Sequence, residues 1–155
     1  MTFVADCMLG RLAKWLRVLG FDVLYFRRAG DDELLNIARK EGRALLTRDT
    51  GLFERARGGS RLFIESEDWE KQVVEVLRTF GLRGEAAPYS RCLECNRVLK
   101  PLSRESARNL VAPFVLEKAE AFALCPKCGK VFWKGTHFDD MGEKIDRILK
   151  AAATL

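Results

Sequence analysis

Short apolar runs alternate with amphipathic stretches through the first 80 residues. Each run is bounded by polar residues or glycine, as expected for buried strands of a parallel sheet. The predicted strands cover residues 3–5, 21–26, 44–47 and 61–64. Between the strands, apolar residues recur at helical spacing, as Leu9, Leu12, Leu16 and Leu19 do. The predicted helices cover residues 8–19, 31 to a stop at Gly42, 52–56 and 68–80.

This alternation of strand and helix, with short connections, predicts an α/β fold. The expected core is a small parallel four-stranded sheet flanked by helices, with strand order 2-1-3-4. In that order the first and third strands lie side by side, so Asp6 and Asp49, which follow them, become neighbours. The carboxyl edge of an open α/β sheet, where the strand order reverses, is where ligands and catalytic groups collect.

The composition changes at residues 82–88, where we predict a domain boundary. The first domain then covers residues 1–84 and the second residues 85–155. In the second, short strands are expected at residues 98–102 and 131–134 and a helix at 103–110, before a final helix at 139–152.

Aspartates follow three of the predicted strands. A single Asp at the start of a helix is usually a cap, but several carboxylates at one edge repel each other and lose solvent, which a bound cation relieves. Oxygen ligands without a nearby histidine favour Mg²⁺ or Mn²⁺ over zinc. We therefore predict that Asp6 and Asp49 hold such an ion, and that Asp31 or Asp32 completes the catalytic site.

An ion held in this way is suited to phosphodiester hydrolysis. Basic residues in or beside the same loops are candidates for binding the substrate's phosphates, although each taken singly is more often a solvated surface charge. These residues are Arg11, Lys14 and Arg48, with Arg27 and Arg28 beside them. Glu65, Glu67 and Asp68 are weaker candidates for a fourth acid, since helix capping explains Asp68 equally well.

Four of the five cysteines form two Cys-x-x-Cys pairs, separated by 29 residues. This spacing is typical of a tetrahedral zinc site, here with the ligands Cys92, Cys95, Cys125 and Cys128. Four thiolates leave zinc no open position, so a structural role is expected.

Four further residues receive simpler interpretations. Cys7 is expected to be a small buried residue beside Asp6. Phe132 and Trp133 are expected to form the core of the small lobe rather than platforms for stacking bases. The single histidine, His137, lies beyond a complete ligand set, so a structural hydrogen-bonding role is expected.

Composition adds only broad limits. A chain of 155 residues with 48% hydrophobic and 32% charged residues can bury one ordinary core with something small attached. Its net charge of +5 is compatible with an anionic partner, but the excess is modest. Neither an export signal nor a membrane segment is expected, and paired cysteines indicate a reducing compartment, so we expect a cytoplasmic protein with no membrane partner.

Three stretches carry a family resemblance: residues 3–23 (FVADCMLGRLAKWLRVLGFDV), 31–39 (DDELLNIAR) and 45–49 (LLTRD). They resemble the PIN-like RNase domain at the C-terminus of the Mut-seven exonuclease and in free-standing prokaryotic proteins. Those prokaryotic members typically continue into a zinc ribbon, and residues 133–137 (WKGTH) are similar to the segment that follows it.

The resemblance covers nearly the whole chain and implies a PIN-like fold with metal-dependent RNA cleavage. Its acidic positions match Asp6, Asp49 and the Asp31-Asp32 pair, and it favours Asp31 of that pair. A fourth acid, usual in full-length PIN nucleases, has no clear match.

The leading functional hypothesis is therefore a Mg²⁺- or Mn²⁺-dependent ribonuclease with a structural zinc ribbon, acting on RNA. The alternative is a catalytically inactive RNA- or ribosome-binding module. A third interpretation, a phospho-acceptor domain using Asp49, lacks the expected acidic pair at the first strand and a lysine after a fifth strand.

Overall fold

The computed structural model describes residues 1–154, and strands alternate with helices up to residue 80. The first part contains β1 (Thr2–Ala5), α1 (Gly10–Val18), β2 (Asp22–Tyr25), α2 (Asp31–Glu41), β3 (Ala44–Thr47), α3 (Thr50–Arg55), β4 (Arg61–Phe63) and α4 (Trp69–Phe80). The second part contains β5 (Lys100–Leu102), α5 (Arg104–Ala107), α6 (Pro113–Lys118), β6 (Phe122–Leu124), β7 (Val131–Trp133) and α7 (Phe138–Ala153). Within residues 1–154, no helix has both the length and the apolar character needed to cross a membrane.

The first four strands form one parallel sheet in the order β2-β1-β3-β4, which confirms the predicted α/β fold and strand order. Ala5 of β1 lies opposite Leu46 of β3, and Leu46 lies opposite Leu62 of β4. Because all four strands run in the same direction, their carboxyl ends share one edge. The residues after β1 and β3 therefore start from adjacent positions.

Both faces of this sheet are buried. Side chains alternate along β1, so Phe3 and Ala5 enter one core and Val4 enters the other. Helices α1, α4 and α7 cover the first face, and α2 and α3 cover the second. This double cover explains why the central strands β1 and β3 have short apolar runs rather than an alternating pattern.

The second part is built on an antiparallel sheet in the order β5-β6-β7. Strand β6 was not expected from the sequence, and β5 is shorter than the predicted strand at residues 98–102. The predicted helix at 103–110 was wrong in extent, because α5 ends at Ala107 and a separate α6 begins at Pro113. Proline is favoured in the first turn of a helix, where its missing N–H is not needed.

The final helix, α7, packs against α4 of the first part. Ile145 and Ile148 are buried in the same core as Val73 and Val76 of α4, and Arg147 forms an ion pair with Glu70. The predicted division at residue 84 stays a prediction, but the last helix completes the core of the parallel sheet.

Candidate functional site

Asp6 directly follows β1 and is only 3% exposed. Its carboxylate accepts hydrogen bonds from the backbone N–H of Met8 at 2.8 Å and of Arg48 at 2.9 Å, and from the hydroxyl of Thr47. Burial of a carboxylate requires such partners, because an unpaired buried charge is costly. Asp6 is therefore fixed in position by the residues that end β3.

Asp49 lies at the same edge, two residues after β3, and is exposed. Its carboxylate Oδ1 accepts from the N–H of Leu52 at 2.8 Å and so caps α3. Its own backbone N–H donates to the Thr47 hydroxyl oxygen at 2.9 Å. Thr47 thus links the two aspartates, since its hydroxyl donates to Asp6 and accepts from Asp49.

The Asp31-Asp32 pair opens α2 and faces a different partner. The Arg55 guanidinium, at the end of α3, lies 3.6 Å from the Asp31 carboxylate and also pairs with Asp32. Arg55 therefore ties the start of α2 to α3. In the part of the chain that the structure describes, these carboxylates do not form a three-acid cluster with Asp6 and Asp49.

The predicted phosphate-binding residues have distinct surroundings. The Arg11 guanidinium lies 4.8 Å from the ring centroid of Trp69, which stacks on Trp15. Lys14 is exposed on α1. Arg48 donates through Nη1 to the carbonyls of residues 64, 65 and 66 at 2.6–3.1 Å, so its guanidinium holds the loop between β4 and α4. Arg27 and Arg28 are exposed after β2.

A partly buried acid near this edge was missed from the sequence. Burial raises the pKa of the Glu75 carboxyl on α4, and the nearby Glu65 carboxylate raises it further, while Arg48 acts in the opposite direction. Nothing in the spacing of Glu75 distinguishes it from a solvent-facing helix residue, so tertiary packing alone identifies it. The other overlooked residue, Thr47, had one signal, since it is the polar residue at the end of an apolar strand.

The prediction that Cys7 is buried was wrong, because its side chain is exposed. It lies in the 3₁₀ turn between β1 and α1, whose buried residue is Leu9. The prediction assumed that apolar character decides burial, but one residue per turn suffices to anchor this short segment.

The four predicted zinc cysteines meet in the second part of the chain. Their sulfur atoms all lie within 4.8 Å of one another, although the two pairs are far apart in sequence. Each pair forms the same turn: Cys92 accepts at its carbonyl from the N–H of Asn96, and Cys125 accepts in the same way from Gly129. Asn96 and Gly129 have positive φ angles of 63° and 74°, as these turns require.

Two thiols of the cluster have pKa values shifted in opposite directions. Contact with Cys128 is the largest cause that raises the pKa of Cys95, to about 12. Burial acts to raise the pKa of Cys125 as well, but hydrogen bonds from the backbone N–H groups of Cys128 and Lys127 outweigh it and lower that pKa to about 7. Such N–H donors stabilise thiolate, the form in which cysteine binds a metal.

A family model described as the Mut7-C RNAse domain matches residues 1–145 of the chain. The chain belongs to the Mut7-C RNAse domain family. The match includes the whole parallel sheet, the four predicted aspartates and all four clustered cysteines. Comparison with curated proteins gave no match, and neither did comparison with solved structures.

The donor set of this Mut7-C chain fits zinc. Four sulfur atoms within 4.8 Å of one another, on two turns whose N–H groups point at sulfur, form a donor set that could hold a zinc ion. His137 does not belong to the cluster and is exposed at the start of α7.

The first cysteine turn of the Mut7-C chain is attached to the parallel sheet by buried polar contacts. Arg17, which is 8% exposed, donates to the carbonyl of Val23 at 2.8 and 3.0 Å and to that of Leu93 at 2.8 Å. Burial lowers the pKa of Arg17, and the nearby Cys92 and Asp22 act in the opposite direction. The guanidinium therefore joins α1, the edge strand β2 and the first cysteine turn.

Asn96 makes the second attachment. Its side-chain oxygen accepts from the N–H of Val23 at 3.0 Å, and its amide nitrogen donates to Asp22 at 2.7 Å. The chain that leads to this turn also passes close to Gly20. A Cβ at that position would lie 2.3 Å from the carbonyl oxygen of Ala87, so only glycine fits there. The cysteine cluster is thus coupled to β2 through a small set of named contacts.

Proposed function

We propose that this Mut7-C chain is a PIN-like, metal-dependent ribonuclease that hydrolyses RNA phosphodiester bonds at the edge formed by Asp6 and Asp49. Membership of a family described as an RNAse domain supports the reaction class. The position of the proposed cleavage site rests on the Thr47 hydroxyl, which hydrogen-bonds to both aspartates at the carboxyl ends of adjacent strands.

The lone pairs available on the two aspartates support a shared hard cation. A carboxylate has about four acceptor sites. Three of these are used at Asp6 and one at Asp49 in hydrogen bonds within residues 1–154. Asp49 would therefore supply most of the protein's bonds to Mg²⁺ or Mn²⁺, with Asp6 supplying one. When bound, such an ion polarises the phosphoryl group and lowers the pKa of an attacking water.

The remaining predicted residues take supporting roles in this proposal. Asp31 would complete the site through water, since Arg55 already holds the pair at the start of α2. Arg11 and Lys14, exposed on α1, would bind the substrate's phosphates. Arg48 would contribute chiefly by fixing its loop, because its Nη1 already donates to three carbonyls.

The four cysteines would hold a structural zinc ion. Four thiolates leave zinc without an open coordination position, so the metal would stabilise the lobe rather than act on RNA. Zinc-bound thiolates suit a reducing compartment, which supports a cytoplasmic location.

Replacing Asp49 with Asn tests the nuclease proposal. Asn caps a helix about as well as Asp, so the variant keeps α3 while losing the charge that would hold the cation. We expect cleavage of single-stranded RNA to fall by at least about 100-fold, the order of effect that transition-state charge stabilisation supplies. The measurement is RNA cleavage by purified protein in metal-free buffer, with Mg²⁺, Mn²⁺ or Zn²⁺ then added.

Asp139→Asn, at an exposed position in α7, is the matched control and should cleave normally. In metal-free buffer the parent protein should not cleave RNA. Its activity should return when Mg²⁺ or Mn²⁺ is added and not when Zn²⁺ is added. Cleavage that survives both metal removal and Asp49→Asn would exclude the proposed site.

A second candidate function is a non-catalytic RNA-binding module. The pairing of Arg55 with both Asp31 and Asp32 favours it, because those charges are already compensated without a metal. This candidate expects salt-dependent RNA binding that tolerates Asp49→Asn, with no cleavage under any metal.

A further inference from the structure

A large groove lies where the second part of the chain meets the carboxyl end of α1. It has a volume of about 860 Å³, within the usual range of ligand sites. Val18 of α1 lines one side, β6 and β7 line another, and the segment leading into α7 closes it. We call it the junction groove.

Aromatic side chains supply much of the wall of the junction groove. Phe114 and Trp133 both line it, and they are 65% and 43% exposed. The expectation that Trp133 forms the core of the small lobe is therefore wrong. Aromatic side chains that serve only to pack a core are normally buried. Two exposed aromatic rings around one concave surface form an apolar patch of the kind that marks an interaction site.

The charges around the groove are all of one sign. Arg91, Lys118 and Lys134 line it, and no aspartate or glutamate does. Within residues 1–154, neither Lys118 nor Lys134 forms an ion pair. Lys134 instead lies 4.7 Å from the ring centroid of Phe138. A surface with exposed aromatic rings and free ammonium groups matches a ligand that has both flat faces and negative charge.

We propose that the junction groove binds unpaired bases of single-stranded RNA, with Trp133 and Phe114 stacking on bases and Lys118 and Lys134 meeting phosphates. The identity of the nucleic acid rests on the proposed ribonuclease function. Aromatic stacking is the general means by which proteins hold single strands, because every base has a flat face whatever its sequence.

The groove and the proposed cleavage site lie at opposite ends of α1. Asp6 precedes this helix, whereas Val18 is its last residue. A nine-residue helix is roughly 13 Å long. Bases in the groove would therefore belong to nucleotides some distance along the strand from the phosphate at Asp6 and Asp49, so the groove selects single strands of sufficient length.

The test measures binding of a short fluorescent single-stranded RNA by anisotropy, in the Asp49→Asn background so that the strand stays intact. Trp133→Ala should weaken binding about tenfold, in line with the loss of one stacked base, and Trp133→Phe should largely retain it. Lys118→Glu should also weaken binding. An abasic strand of equal length should bind the parent at least as weakly as RNA binds Trp133→Ala, because it loses the stacking on both Trp133 and Phe114.

Two matched controls come from the same lobe. Leu110→Ala removes a side chain that is 56% exposed but lies outside the groove, and Lys100→Glu reverses an exposed charge on β5. Neither the leucine substitution nor the abasic comparison changes charge, so stacking is separated from electrostatics. Leu110→Ala should bind normally, and Lys100→Glu should weaken binding less than Lys118→Glu.

Equal RNA affinity in the parent, Trp133→Ala and Lys118→Glu would overturn the proposal. Uptake of an acidic amphipathic peptide by the groove, with RNA affinity unchanged by these substitutions, would likewise overturn it and indicate a protein partner. The outcome is separate from that of the ribonuclease proposal. Cleavage of RNA with binding that does not depend on Trp133 would support the ribonuclease proposal and exclude the role of the junction groove. Binding that depends on Trp133 without cleavage would support the role of the groove and exclude the ribonuclease proposal.

Discussion

At the scale of single residues, the proposed site depends on one hydroxyl group. The sequence predicted that Asp6 and Asp49 would follow adjacent strands, because the order of a parallel sheet can be predicted from the alternation of strands and helices. It could not predict that Thr47 joins them, since the rotamer of a buried threonine follows from packing. The pairing of Asp31 and Asp32 with Arg55 was also unpredictable, because it depends on how α2 and α3 sit together.

Replacing Thr47 with Val tests this link. The two side chains have nearly the same shape, and Thr47 is fully buried, so the change removes chiefly the hydroxyl. A carboxylate oxygen of Asp6 and the N–H of Asp49 each lose a partner, which should lower the free energy of unfolding by about 1–3 kcal/mol. Chemical denaturation measures the loss, and RNA cleavage should fall with it. Thr47→Ser, which keeps the hydroxyl, should lose less stability and less RNA cleavage than Thr47→Val. Equal losses in the two variants would show that the hydroxyl is unimportant.

A second residue-scale prediction concerns Asp22 and acid. Burial acts to raise the pKa of the Asp22 carboxyl, but hydrogen bonds from Arg43 and Asn96, both at 2.7 Å, outweigh it and hold the pKa below its ordinary value. The unfolded chain therefore binds this proton more readily than the folded chain. The stabilisation is present above the unfolded pKa of about 3.9 and is lost as the pH falls through the lower folded value.

The measurement is the free energy of unfolding of the parent and of Asp22→Asn from neutral to acidic pH. The difference between the two proteins should be largest near neutral pH and should shrink as the pH falls below about 4. Asp139→Asn should differ little from the parent throughout this range, because Asp139 is exposed and forms no ion pair among residues 1–154. A difference for Asp22→Asn that does not vary with pH would contradict the role given to its charge.

At the scale of elements, predictions succeeded where one physical signal was strong. The central strands β1 and β3 are short apolar runs, and α4 was predicted to within one residue because its apolar residues recur regularly at helical spacing. Strand β6 has only three residues, too few for any periodicity, and it is a strand because β5 and β7 pair with it. The predicted extent of α5 was wrong for a similar reason, since a four-residue helix is too short for its apolar residues to repeat.

The final helix allows an element-scale prediction. Ile148 is 1% exposed in the core that α7 shares with α4 and β1. Ile148→Ala should lower the free energy of unfolding by about 2–5 kcal/mol, because it leaves a cavity in that core. The readout is the fluorescence of the stacked Trp15 and Trp69, measured in a Trp133→Phe background so that it reports on the first part of the chain.

Lys150→Ala, two residues further along and exposed, is the control and should change stability by no more than about 0.5 kcal/mol. Unchanged unfolding of the parallel sheet in Ile148→Ala would mean that α7 contributes nothing to that sheet's stability.

At the scale of the whole molecule, two separate connections join the parts on either side of residue 84. The cysteine turn reaches β2 through Arg17 and Asn96, and α7 reaches α4 through the shared core. We therefore expect one cooperative unfolding transition for the entire chain, even though the sequence divides into two regions of different composition. The predicted domains would then be units of sequence rather than units of stability.

Removal of the proposed zinc ion tests this coupling. Because metal binding stabilises the folded state, chelation should lower the melting temperature of the whole chain, including the parallel sheet. Hydrogen exchange gives a local readout at Val23, whose N–H donates to Asn96 beside the cysteine cluster. Its amide should exchange faster without zinc through local opening. The amide of Leu46 in the central strand β3 should exchange only through global unfolding, so its rate should rise only as far as the stability of the whole chain falls. Two transitions, with the tryptophan signal insensitive to chelation, would refute the coupling.

The position of α7 on α4 also has a consequence for synthesis of the protein. Fifty-seven residues lie between the two helices, from 81 to 137. At roughly 5–20 residues per second, a ribosome makes α4 about 3–11 seconds before it begins α7. Until α7 follows α4 out of the ribosome, the apolar side of α4 that α7 later covers is left uncovered. We therefore expect the nascent chain to bind chaperones during this delay.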